Sequence, residues 1–330
     1  MIERNHLKIM TIPKLILFLL ISIFPRVPLA LTGEQNLAKT TGIILYNQYK
    51  PAASYLTISA NAGDSESQFY LAEEIRHTKR FITPEAQHWY EAAAAQGNLY
   101  ALVRLSKISN DLCSTMQNCP ESLHSSSEWR QIAVTKLKRL ARNDNTDAMY
   151  ALYILTPQAS WLEKSAKLGN PKSQWLLANR YKEGNGIFIL SSRTEKIAKL
   201  LKSSAIGGFP KGMLEYADIC ITEKRSDEAR YWLEQAARTG FQPAVIAYGA
   251  NLAHEPNSLG YPLNRVMGYA VISSLEELNG GGGSALYLST LLPKIWNKMS
   301  ETERKNVANA QSQWRSESAP LSFFPDPLGY

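Results

Sequence analysis

The side chains best suited to chemistry are few and widely separated. Histidines at 77, 88, 124 and 254 fall in different stretches of the chain, and none has a second base or a nucleophile at a recurring spacing. A histidine works as a general base only within hydrogen-bond reach of the proton it takes. No Gly-x-Ser-x-Gly elbow, no His-Glu-x-x-His and no carboxylate pair repeated at a turn is present. His88, beside Trp89, reads as a helix-surface residue. Gly280-Gly281-Gly282-Gly283-Ser284 has the glycine content of a phosphate cradle but lacks its Gly-Lys-Ser/Thr ending, so it reads as a turn. Cys113 and Cys119 lie six apart in a Ser/Asn-rich stretch, Ser109 to Ser127, a spacing that can close a small disulfide loop. Cys220 sits in the apolar run Tyr216-Ala217-Asp218-Ile219-Cys220-Ile221 and reads as a buried free thiol. Without a Cys-x-x-Cys or His-x-x-x-His pair, a structural zinc site is disfavoured. The expectation is a chain with no catalytic residues, no cofactor and no metal ligands.

What such a chain offers instead is shape, and its elements repeat. A large residue is followed by a small one, then by Gly three further on, then by another small residue four after that. The pattern reads Tyr55, Ala60, Gly63, Ser67; Trp89, Ala94, Gly97, Ala101; and Trp161, Ala166, Gly169, Ser173. It continues as Leu200, Ala205, Gly208, Gly212 and as Trp232, Ala237, Gly240, Ala244. Weaker copies hold Ala141, Asp144, Ala148 and Leu278, Gly281, Ala285. The mean spacing of the marker positions is about 36 residues, within the range of stacked repeats. Gly63, Gly97, Gly169, Gly208, Gly240 and Gly281 are the expected turn positions, where a helix stops by entering the left-handed region. The flanking small residues let two antiparallel helices approach, and the aromatic eight before Gly is expected to fill the wider end of the gap between them. Phe69 and Leu71, Val103 and Leu105, and Trp175 and Leu177 are expected to bury the inner stripe of the second helix.

Tyr90-Glu91-Ala92-Ala93-Ala94-Ala95-Gln96-Gly97-Asn98, Trp161 through Asn170 and Trp232 through Gly240 resemble the Sel1-like repeat, a relative of the tetratricopeptide repeat. Tyr181-Lys182-Glu183-Gly184-Asn185-Gly186-Ile187 resembles the family's glycine-containing loop after the second helix. The resemblance spans residues 43–290 and implies an all-α fold, an α/α superhelical solenoid of about seven helix-pair repeats. The chain departs from it near Asp144, where Gly is missing and the next marker follows after 25 residues, so a truncated pair is expected there. The array is assigned to 31–292, a capping helix with a polar outer face to 293–317, and an extended tail to 318–330. The prolines of that tail exclude a regular helix. Phe323 and Phe324 are expected to tuck onto the array; a second reading makes the tail a partner-binding strap.

Arg4, Lys8 and Lys14 precede the apolar run Leu15 to Phe24, a secretory signal pattern assigned to residues 1–30, with export to the periplasm as its consequence. Removing those residues takes the formal charge from +7 to about +4, with the signs interspersed. That argues against a nucleic-acid partner, and no stable membrane anchor is expected. The basic run Lys136 to Arg142 reads as a solvated helix face with Leu137 and Leu140 turned inward. Proteins of the resembled family that are small and exported imply two roles: immunity proteins that occlude a phospholipase-type effector of a type VI secretion system, and scaffolds of cell-envelope complexes for polysaccharide export or signalling. A hydrolase role is the least favoured. Arg180, Tyr181, Tyr216, Tyr248 and Tyr287, on second helices, are the candidate partner-binding residues, since Tyr, Trp and Arg dominate interface hot spots.

Overall fold

The computed structural model describes residues 30–186, 190–278 and 284–328. The expected signal segment lies almost wholly outside the described residues, as do Gly281, Ile187 and Tyr330.

In four of the described turns after a first helix, three residues set the geometry. At Gly169 the chain is left-handed, with φ +95°, which ends one helix without the steric penalty a Cβ would meet. The next residue caps the following helix: the side chains of Asp64, Asn98, Asn145 and Asn170 each accept the backbone N–H three residues on. Asp144 takes the left-handed position itself, with φ 57°, so the copy without Gly keeps the same turn. At the closest approach, four residues either side of the glycine, hydroxyls pair: Ser59 with Ser67 and Ser165 with Ser173, each at 2.8 Å.

Seven helix pairs result among the described residues. They are α2 (Ala53–Asn61) with α3 (Ser65–Lys79), α4 (Pro84–Ala95) with α5 (Leu99–Leu105), and, after the short α6 (Leu112–Thr115), α7 (Ser126–Arg142) with α8 (Thr146–Leu155). Then come α9 (Ala159–Lys167) with α10 (Pro171–Lys182), α11 (Leu190–Ile206) with α12 (Pro210–Thr222), α13 (Ser226–Arg238) with α14 (Gln242–Leu252), and α15 (Arg265–Ser273) with α16 (Ser284–Asn297). An extra helix, α1 (Gly33–Asn47), precedes them, and α17 (Glu301–Lys305) and α18 (Val307–Glu317) follow. Each helix packs chiefly on its chain neighbours, as a repeat stack requires, while α18 returns onto α15. Among the described residues no helix is long and apolar enough to cross a membrane.

Two expectations change in detail. The deep position of each first helix belongs to the residue seven before the turn, not eight: Leu56, Tyr90, Leu162, Leu201 and Leu233 are buried, whereas Tyr55 is 43% exposed. One residue is a 100° step around a helix, so the large residue at position eight sits at the rim of the gap. The capping segment 293–317 is not one helix either. Pro293 lies inside α16, which runs on to Asn297, and two further helices follow. Pro293 lacks the N–H that would bond the carbonyl four residues back, so α16 runs past it with one ladder bond fewer.

Candidate partner-binding surface

The spacing between the second and third turns is long because residues 106–125 form an insert. Cys113 is buried and bonded to Cys119, with their Cα atoms 4.6 Å apart. Asp111 ties the insert back: its carboxylate accepts from the N–H of Ile82 at 2.9 Å and caps α6. Cys220 is free and buried, and burial pushes its thiol up.

A dense polar cluster lies where α3, α4 and α5 meet. Glu73 is 1% exposed, yet it accepts from Arg104 Nε at 2.6 Å, Arg76 at 3.0 Å and the Tyr90 hydroxyl at 2.7 Å. Burial alone would push this carboxyl up, but the Arg104 and Arg76 guanidiniums outweigh it and hold Glu73 below the usual carboxylate range. His77 Nε2 lies 3.6 Å from the same carboxylate, and its ring stacks on Tyr46 at 5.8 Å. Burial pushes His77 down, with Glu73 opposing. A carboxylate that is ionised, enclosed and saturated with donors is a poor general base. Its chemistry is structural: it pins three helices together.

A second polar cluster belongs to the C-terminal tail, which is non-helical, with Phe324 left-handed at φ 46° and a turn at Pro327–Leu328. Ala319 N–H donates to Arg238 O and Ser322 N–H to Gly240 O, each at 2.9 Å, while Gln242 N–H donates to Ser322 O at 3.1 Å. On its other side, Phe323 N–H donates to Asn47 O at 2.9 Å and Gln48 Nε2 to Leu321 O at 3.1 Å. Phe323 stacks on Tyr49, and Phe324 meets Phe241 edge to face. Further along, Arg104 Nη2 donates to Pro327 O at 2.9 Å, joining the tail to the Glu73 cluster. Lys172 Nζ lies 2.7 Å from Asp326 Oδ1, and the Tyr150 hydroxyl donates to Asp326 Oδ2 at 2.8 Å. The same ammonium stands 4.5 Å from the centre of the Tyr150 ring. Burial pushes Lys172 down, and Asp326 works against that shift. Leu328 is buried with the core of the first four pairs.

Even fully extended, ten residues such as Ala319 to Leu328 would reach at most about 33–36 Å. Within that span the tail touches α1, α5, α8, α10 and the α13–α14 turn. The stack is therefore curled, and these elements line one inner groove that the tail fills.

Two further grooves stay open. One, of about 760 Å³, is floored by Ile221, Ile246, Ala247 and Ala250 and edged by Tyr287. The other, of about 670 Å³, lies between α9, α10 and α11 and carries Lys167, Lys196 and Lys199 beside Tyr181 and Leu177. The candidate residues thus divide. Tyr287 is 50% exposed in the first groove, and Tyr181 is half-buried at the second, with Arg180 paired to Glu183 beside it. Tyr216 and Tyr248 leave the candidate surface, being 3% and 7% exposed. Tyr216 donates to Glu228 at 2.9 Å, and Tyr248 stacks on Trp314 at 5.7 Å, because the second helices bury the face on which these two lie. Sequence reading missed Glu73, Arg104, Tyr150, Lys172 and Asp326. Glu73 alone left a signal: it falls four residues after Phe69, on the buried stripe of α3.

The fold is an all-α stack of sequential helix pairs. No family model matches the chain, and no curated protein matches it. Among solved structures it is similar to a protective antigen present in uropathogenic Escherichia coli strains and described as displaying an SLR fold. That likeness has a TM-score of 0.49 and 19% identity, over 87% of this chain and 62% of that one. The chain therefore spans under two thirds of that antigen's length. It is also similar to a Sel1 repeat protein from Oxalobacter formigenes, with a TM-score of 0.44 and 18% identity over 86% of this chain and 87% of that one.

Proposed function

We propose that this chain is an exported, non-enzymatic protein-binding solenoid. Within that class we favour an immunity protein that neutralises a secreted antibacterial effector of phospholipase type by covering its working surface. The observation that carries the binding role is the pair of open grooves edged by Tyr181 and Tyr287, with apolar floors and amphipathic rims. Such rims supply contact area at low entropy cost. The periplasm is the proposed compartment, supported by the leader pattern before residue 31 and by the Cys113–Cys119 bridge, which persists in oxidising surroundings. The effector assignment rests on the family resemblance of the sequence.

The second reading, a scaffold of a cell-envelope complex, is favoured by the two grooves lying on different helix pairs, which suits two partners at once. Tagged full chain, crosslinked in its own host and recovered with its partners, separates the two. One stoichiometric partner that kills cells when sent to the periplasm, and fails to kill when this chain is co-expressed, supports immunity. Several envelope components, none of them toxic, would support the scaffold instead. Turnover of phospholipid by the purified chain alone would overturn the non-enzymatic reading.

A further inference from the structure

We infer that the inner groove is itself a peptide-binding site, filled at rest by the chain's own C-terminal strap. It takes from a partner protein a non-helical segment with a carboxylate two residues before an apolar side chain. This rests on the protein-binding reading but names a third surface, distinct from the two open grooves.

The groove is built for such a ligand. Lys172 is largely withdrawn from water, and Asp326, whose side chain is 4% exposed, supplies its counter-charge. An ammonium covered without a carboxylate is costly, so any segment that covers Lys172 must bring an anionic group to this spot. Tyr150 fixes the orientation by donating to the second carboxylate oxygen. Two residues on, Leu328 enters an apolar seat, and between them Arg104 reads only the main-chain carbonyl of Pro327. Recognition therefore rests on one carboxylate, which also accepts from the Leu328 N–H at 2.9 Å and so sets a local turn, and on one apolar side chain two residues on, features an unstructured segment can adopt.

The present occupant is held in a way that permits exchange. From Phe323 to Pro327 its residues are only partly buried, and no strand ladder extends beyond the single bridge at Ser322. Its advantage is tethering, which acts as a high local concentration and contributes no contact of its own. A partner segment of the same chemistry, presented by a surface that also engages an open groove, gains the same advantage.

The probe is a fluorescent peptide with the sequence of residues 319–328, titrated into the full chain by anisotropy. The wild-type chain should bind it weakly, because the tethered strap competes. Asp326→Asn, which loosens the strap, should bind it at least about ten-fold tighter, the scale of one charge-assisted contact. Replacing Asp by Asn in the peptide, or adding Lys172→Met to the chain, should abolish that gain. In the wild-type chain, excess peptide should speed hydrogen exchange at Ala319, Ser322 and Phe323, a readout that needs no variant. Equal binding by the wild-type and Asp326→Asn chains, indifference to the peptide's Asp, or unchanged exchange would overturn the inference. So would a dimer by light scattering that the peptide dissolves, since the groove would then serve a second copy's strap. None of these outcomes touches the open grooves, on which the proposed function stands.

Discussion

At the scale of the residue, Glu73 is the most consequential side chain that repetition does not explain. Its charge is buried, and its ionisation depends on Arg104, Arg76 and Tyr90. Removing one partner leaves the rest uncompensated, so Arg104→Met should cost about 3–5 kcal/mol in chemical denaturation. Tyr90→Phe, which deletes one bond to a charged acceptor, should cost about 1.5–3 kcal/mol. The pH dependence has a definite sign. Glu73 is held below its ordinary 4.5, so the unfolded chain binds the proton first as acid is added. The stabilisation is complete above about pH 4.5 and is lost as the pH falls through the lower, folded value. Thermal melts between neutral pH and pH 3 should show that loss in the wild type and less of it in Glu73→Gln; parallel curves would refute the assignment.

The helix pair is the next scale, and its turn is where the repeat is made. A Cβ at Gly63 meets nothing within 4 Å, so Gly63→Ala should cost only backbone strain, about 1 kcal/mol. Gly240 has the same left-handed backbone, with φ +78°, but there a Cβ would collide with the Pro320 carbonyl oxygen. Gly240→Ala should be clearly more destabilising and should raise hydrogen exchange at Ser322, whose N–H bonds Gly240. Equal effects at the two glycines would show that the strap does not press on this turn. The insert offers an independent test. Its bridge closes a loop of six-residue separation, for which chain entropy gives about 2 kcal/mol. Reduction should therefore loosen residues 106–125, read by local hydrogen exchange, while leaving the flanking pairs protected.

Over the whole molecule, the strap ties repeats that are distant in the chain. In a stack where each unit touches mainly its neighbours, small rotations between pairs accumulate freely. This chain adds long-range ties: Ser322 and Phe323 join the sixth pair to α1, and Asp326 joins the fourth pair to the third. Ending the chain at Ser318 should leave helix content unchanged by circular dichroism and increase the radius of gyration by small-angle scattering. An unchanged radius would mean that the pair interfaces alone set the curl.

The sequence by itself determined the local structure. Recurrent small residues and glycine specify tight antiparallel pairs, and a residue that tolerates φ > 0 is needed at each turn, so seven turns could be counted before any coordinates. The spacing of Cys113 and Cys119 likewise allowed their bridge. These are short-range constraints, written in neighbouring residues. Tertiary structure decided what the pairs do together. A one-residue rotation moved the deep position from Tyr55 to Leu56, and burial removed Tyr216 and Tyr248 from the surface. Glu73 met Arg104 from 31 residues away, and Lys172 met Asp326 from 154. Such pairings depend on how rotations sum over several repeats, a quantity no local pattern encodes. The groove and its strap therefore became visible only when the solenoid was folded.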